Sequence, residues 1–286
     1  MQEAWVLLER DRCIPDVLRV HIQKCKLATH RPFGVNIPLL YPNIQEIIDV
    51  VVEEKVKIVF SSAGNPATWT SFLKERGITV VHVIANTKFA MKAQEAGVDA
   101  IVAEGFEAGG HNGREETTTM CLIPMIKEVV RIPVIAAGGI WSGKAMLAAF
   151  ALGADAVQIG SAFAVAEESS AHPAFKNKII SATEGDTKLA MKKLVPVRLL
   201  KNEFADAISI AEAEGADQNR LMELLGRARA KAGMFEGDME NGELEIGQVS
   251  AMLNEIKPAK EILEDIWQGF RYELQRLNSL QSELDL

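Results

Sequence analysis

Along residues 33–163 the apolar positions fall into two alternating textures. Short runs rich in β-branched residues come first: FGVNIPLL, VKIVFSSAG, ITVVHVIAN, AIVAEG, PVIAAGG and AVQIGSAF. Between them lie stretches with helical spacing: NIQEIIDVVVEE, ATWTSFLKER, TKFAMKAQEAG, a segment ending in IPMIKEVV, and SGKAMLAAFALG. The short runs are apolar throughout and do not alternate, as expected for strands buried on both faces of a parallel sheet covered by helices. Repeated β-helix-β units predict an α/β fold, either an open doubly wound sheet or a (β/α)8 barrel. A weak internal repeat, AGVDAIVAEG at 96–105 against LGADAVQIGS at 152–161, supports regular construction.

Glycine and polar residues gather behind the C-terminal end of each run. Asn36 follows FGV, Ser62, Gly64 and Asn65 follow KIVF, and Gly109, Gly110 and His111 follow IVAEGFEA. Gly138 and Gly139 follow VIAA, and Gly160 and Ser161 follow VQI. In parallel α/β folds that rim binds ligands. AAGGI (136–140) and QIGSAF (158–163) both suit a phosphate, because bare backbone N–H groups at a helix start make an anion site. Neither a Walker loop nor a GxGxxG fingerprint after a first strand is present, which argues against a Rossmann dinucleotide site.

Composition narrows the function classes. The 286-residue chain has 48% hydrophobic and 24% charged residues, as in ordinary globular proteins. A net charge of −8 argues against a nucleic-acid partner. No apolar run approaches the roughly 20 residues of a membrane span, and no signal peptide is visible. Three cysteines, Cys13, Cys25 and Cys121, have no metal-type spacing and suit a reducing, cytoplasmic setting. Cys121, Met120 and Met125 sit in an apolar helical stretch and are expected in the core.

The strings PFGVNI (32–37), AGNP (63–66), AEGFEAGGHNG (103–113), IPVIAAGGI (132–140) and VQIGSAF (157–163) together resemble the nitronate monooxygenase family, which includes flavin-dependent enoyl-ACP reductases. The resemblance runs from about Pro15 onward. It implies a (β/α)8 barrel with FMN across its C-terminal mouth. On matching positions, Asn36 would contact the flavin, as would Glu104, which stands where many members carry glutamine. Gly109 would let the backbone approach the cofactor. Gly139, Gln158, Ile159, Gly160 and Ser161 would hold the ribityl phosphate, and His111 would be the catalytic histidine beside the ring. Gly247 and Gln248 of LEIGQ resemble a segment that returns to the mouth. The resemblance leaves two reactions open on a small-molecule substrate: nitronate oxidation with O2, or reduction of an enoyl thioester with NAD(P)H. His21, His30 and His82 have weaker claims to a role, and His172, before a proline, suits a structural one.

The front end departs from the family. Six strands are counted from Phe33 where a barrel has eight, and MQEAWVLLERDRCI makes a poor buried strand because ERDR places four charges in a row. One possible coding of residues 1–15, read from its third base, translates as AGGLGFIGAGSMYP, which resembles the family's second strand. The expectation is therefore an anomalous segment 1–14 from a frameshift, a partial barrel over 15–166, and a helical region over 167–286. An incomplete barrel exposes unpaired sheet edges. The chain as written is then expected to be poorly soluble and to bind FMN weakly or not at all, and a non-catalytic remnant is a third reading. Within the tail, 187–194, 201–214, 217–232 and 258–280 are predicted as helices. Ile262, Ile266, Trp267 and Phe270 of the last are expected to pack on the barrel or on a second subunit of a homodimer.

Overall fold

The computed structural model describes residues 7–8 and 15–283, so most of the anomalous segment 1–14 lies outside the described residues. Seven parallel strands form one curled sheet: β1 (Leu7–Leu8), β2 (Gly34–Pro38), β3 (Ile58–Ser62), β4 (Thr79–Ile84), β5 (Ala100–Glu104), β7 (Val134–Ala137) and β8 (Ala156–Gln158), paired in that order. A short β6 (Gly110–His111) intervenes in sequence and belongs elsewhere. All six expected strands are present. The two-residue β1, paired with Gly34 and Val35, is a seventh that the ERDR charges had argued against.

Strands β2 to β5 and β7 are largely buried on both sides, which is why their sequences do not alternate. Val35, Ile37, Val59, Val80, Ile101, Ala103, Val134 and Ala136 face the helices. There they meet Ile47, Ile48 and Val51 of α2 (Ile44–Glu53), Leu73 of α3 (Thr70–Lys74), and Ala90 and Ala93 of α4 (Thr87–Glu95). Leu122, Ile123 and Ile126 of α5 (Thr119–Val129) and Ala149 of α6 (Gly143–Ala151) complete that layer. The opposite, concave face packs Ile58, Phe60, Val81, Val102 and Ala137 against one another. α1 (Pro15–Ala28) has the predicted bounds and buries Leu18 and Ile22.

The internal repeat has a physical basis. Asp99 and Asp155 each stand just before a strand. Asp99 Oδ2 accepts the Val80 amide at 2.8 Å, and its Oδ1 accepts Lys74 Nζ at 2.8 Å. Asp155 Oδ2 accepts the Val134 amide at 2.8 Å and Lys127 Nζ at 2.9 Å. In both copies the carboxylate ties a strand to the start of its neighbour and to the end of the preceding helix.

Met120, Cys121 and Met125 correct an expectation: all three are exposed. The inward stripe of α5 is Thr119, Leu122, Ile123 and Ile126, and the other three fall on its outer face.

The tail contains α7 (Ser161–Ala164), α8 (Pro173–Ile180), α9 (Glu203–Ala213), α10 (Gln218–Leu225), α11 (Arg229–Met234) and α12 (Ala259–Glu283). Segment 187–194 is not helical. β9 (Thr187–Ala190) and β10 (Val197–Leu200) form an antiparallel hairpin whose free edge pairs with β6. The helix predicted over 217–232 is two helices separated at Gly226. α12 packs on the sheet's own layers: Ile262 and Ile266 join Ala162 and Ala166, and Phe270 meets Phe150 edge to face at 5.6 Å. Among the described residues no helix is long and apolar enough to cross a membrane.

His82 lies on the helix-facing side of β4, only 4% exposed, with Nδ1 2.7 Å from Ser61 Oγ. Burial penalises the imidazolium and pulls its pKa down to about 4 from the usual 6.5. Between those values the unfolded chain binds more protons than the folded one, so stability falls as pH drops from about 6.5 towards 4. The expected loss approaches about 3 kcal/mol at its largest. Urea unfolding of wild type and His82→Gln across that window checks it: the glutamine variant should show a flatter dependence on pH.

Candidate active site

Three polar strand residues, Asn36, Glu104 and Gln158, stand on the concave face, the last two at the C-terminal ends of their strands. Phe60 is a concave-face residue, so its register partner Asn36, half-buried, shares that face. Glu104, Ala137 and Gln158 are direct register partners on three adjacent strands, and Ala137 belongs to the concave cluster. Glu104 and Gln158 therefore stand level at the end of the sheet, flanking one alanine. Gln158 Oε1 is buried and has no hydrogen-bond partner.

Beyond the strand ends, two glycine segments line the same rim. Gly138 (φ 92°) and Gly139 (φ 71°) adopt left-handed backbone, which side-chain-bearing residues resist. Gly160 is exposed at the start of α7, with nothing within 4 Å of where a Cβ would lie, and Ile159 beside it is partly buried. Ser161 Oγ accepts the Gly247 amide at 3.0 Å, which leaves its hydroxyl proton available to an anion. Below that turn the buried Lys176 donates to the carbonyls of Ala166 (2.6 Å) and Glu167 (3.1 Å).

The loop from Gly105 to Gly113 is held from several sides. The Glu107 carboxylate accepts the Thr119 amide at 3.0 Å through either oxygen, and Oε2 accepts the Thr119 hydroxyl at 3.1 Å. It thereby satisfies the first amide of α5 and opposes the positive end of that helix. The Gln248 amide donates to the Glu107 carbonyl at 2.9 Å. Asn112 Nδ2 cinches the loop on itself, donating to the carbonyls of Ala108 and Gly110, both at 2.9 Å. His111 is exposed on β6, its backbone paired with Val197.

Gly109 owes its bare Cα to this crossing. A Cβ there would sit 2.6 Å from the Gly247 nitrogen, so the returning segment 246–247 fills the place of a side chain. Gly247 in turn lies against Ser161 Oγ and the Glu107 carbonyl. The expectation that 247–248 returns to the mouth matches this placement. Asn36, Glu104, Gly109, Gly139, Gln158, Ile159, Gly160 and Ser161 thus lie on or behind the C-terminal ends of strands of one sheet. His172 serves as the N-cap of α8, its Nδ1 accepting the Ala174 amide at 3.1 Å. Glu107, Thr119 and Arg198 were not foreseen as parts of the site.

The chemistry of the residues present suits a group with a phosphate tail such as FMN. Gln158 Oε1 is a buried acceptor with no partner, and backbone around Gly138, Gly139 and Gly160 is stripped of side chains beside it. The rim offers amides and a hydroxyl to an anion, as a phosphate requires.

The sequence profile of the family described as nitronate monooxygenase matches residues 43–269. The structure of FabK from Thermotoga maritima superposes with a TM-score of 0.91 at 40% identity, covering 96% of this chain and 88% of that one. A probable nitronate monooxygenase of Staphylococcus aureus is 35% identical over 77% of this chain and 64% of its own length. A (3aS,4S,5R,7aS)-5-hydroxy-7a-methyl-1-oxo-octahydro-1H-indene-4-carboxyl-CoA dehydrogenase of Rhodococcus jostii is 28% identical over 86% of this chain and 79% of its own.

Gly109→Ala forces the new methyl into the 246–247 segment. The expected cost is about 1–3 kcal/mol, typical of overpacking, seen as a lower urea midpoint with an unchanged slope. An unchanged midpoint would show that the crossing relaxes freely.

Proposed function

The chain belongs to the nitronate monooxygenase family of oxidoreductases, and we propose that it is an FMN-dependent enzyme that oxidises alkyl nitronates with O2. The observation that carries this reading is the unpartnered Gln158 carbonyl beside the glycine-stripped rim, with His111 exposed on the same loop system.

Gly139, Gln158, Ile159, Gly160 and Ser161 would hold the phosphate end, and Asn36, Glu104 and Gly109 the side facing the ring. FMN supplies the electron acceptor and the site of reaction with oxygen when bound. The chain's own contribution is binding and orientation. His111, on the rim, would bind and polarise the anionic nitronate by hydrogen bonding. The loop that carries this histidine is itself held through Thr119, the 246–248 segment and Asn112.

A second reading, reduction of an enoyl thioester with NAD(P)H, draws support from the carboxyl-CoA dehydrogenase relative and from PFGVNIPLL, AGNP and HPAFKNKI. There His111 would polarise the thioester carbonyl or supply a proton.

Oxygen uptake driven by a nitronate, with no need for NAD(P)H, is the expected result for the protein once it is loaded with FMN. NAD(P)H oxidation that depends on an enoyl thioester would select the second reading. A protein that carries no flavin after purification and takes up none when FMN is added would support the non-catalytic remnant. His111→Ala should lower turnover about a hundredfold or more while leaving flavin absorbance in place. Unchanged turnover would remove the histidine from the mechanism.

A further inference from the structure

One charged side chain in the rim's support has no place in the reaction yet. Arg198 is 3% exposed, in the otherwise apolar run VPVRLL. Its Nε and Nη2 both donate to the Phe106 carbonyl, at 3.0 and 2.8 Å, and its Nη1 donates to Thr187 Oγ1 at 3.3 Å. The guanidinium lies over the Phe106 ring, 4.7 Å from its centroid. Among the described residues no carboxylate lies within ion-pairing distance of it, although the charges of Glu107 and Glu116 favour the cation against the penalty of burial. Burying a cation on neutral partners is unfavourable. That makes Arg198 a costly way to hold a loop if packing were all that mattered.

The backbone supplies the other half. Arg198 is the register partner of Gly110, and Val197 that of His111. One residue thus fixes both ends of the turn 106–110. Its main chain runs beside the end that leads into His111, and its side chain clamps the start. The turn's length is set between these two attachments, and the imidazole follows directly after the second.

We propose that Arg198 is a positioning residue for His111: it sets the distance across the turn 106–110 and so the placement of the imidazole at the rim. The inference rests on His111 being the substrate-facing group. Lysine keeps the charge but lacks the planar fork that puts two N–H groups on one carbonyl and a flat face on a ring.

The test is a double-mutant cycle on the full chain with FMN, using a short alkyl nitronate and an enoyl thioester as probes. Arg198→Lys is expected to keep the flavin spectrum and a KM within about twofold, and to lower kcat about tenfold or more. In a His111→Ala background the same substitution should leave the residual kcat unchanged, because the group it positions is gone. Equal losses in both backgrounds would mark a general structural role and overturn the proposal, as would an unchanged kcat in the single variant. Should Arg198→Lys not fold, Thr187→Val frees one arm of the fork. The same coupling is expected from it at about two- to fivefold, and an uncoupled or absent effect overturns the proposal. If wild type turns over neither probe, the functional reading fails on its own. The positioning claim is then read from the His111 ring resonances by NMR. A changed shift and titration in whichever variant folds supports it, and resonances identical to wild type overturn it.

Discussion

A strand covered on both faces has nowhere to keep a polar side chain except its ends, and that constraint organises this molecule. The helix-facing layer and the concave layer are both apolar, so an uncompensated polar group in either is unfavourable by a few kcal/mol. Mid-strand polar groups are few: Ser61 and His82 partner each other, and Asn36 stands half-buried on the concave face. Others gather at the C-terminal edge, where Glu104 and Gln158 stand level across Ala137. The parallel arrangement brings all those edges to one side. Chemistry at the rim follows from burial below it.

The rim then needs support that the strands alone do not give. The loop 105–113 is the point where the adjoining start of α5 meets two distant parts of the chain, the β9–β10 hairpin and the return at 246–248. Each uses backbone as a partner. Thr119 and Gln248 donate amides, Arg198 grips a carbonyl, and Gly109 yields the room for a crossing chain. Two of these contacts come from the tail, so the geometry of the loop depends on the packing of segments far from it in sequence.

Much of this was legible from the residues. Non-alternating apolar runs identified strands buried twice, and glycines behind them marked the rim. The internal repeat signalled regular construction, and the tie made by Asp99 and Asp155 came only with the structure. What stayed hidden depended on tertiary partners. KLAMKKL has good helix formers throughout, yet its first part is strand because β10 and β6 offer a ladder that local propensity does not know about. Met120, Cys121 and Met125 were misplaced because an apolar helix does not declare its phase when nearly every position is apolar. Glu107 looked like one more loop acid until Thr119 appeared opposite it. Arg198 did leave a signal, a lone cation inside an apolar run, of the kind that burial makes conspicuous.

The same physics explains why the family is easier to read than the reaction. The rim's proposed grip on a phosphate relies on backbone amides, glycine and one hydroxyl, and these serve any bound flavin whatever the substrate. The substrate side reduces to one imidazole, which can polarise a nitronate or a thioester carbonyl equally well. Selection between them has to come from groups that meet the remainder of the substrate. In a barrel those groups sit on the loops that follow the strands, here the turns after β2 and β3 and the segment returning at 246–248. Two chains that share every rim residue can thus differ in reaction through these loops alone. The residues that separate nitronate from thioester are to be sought where the strands have already ended.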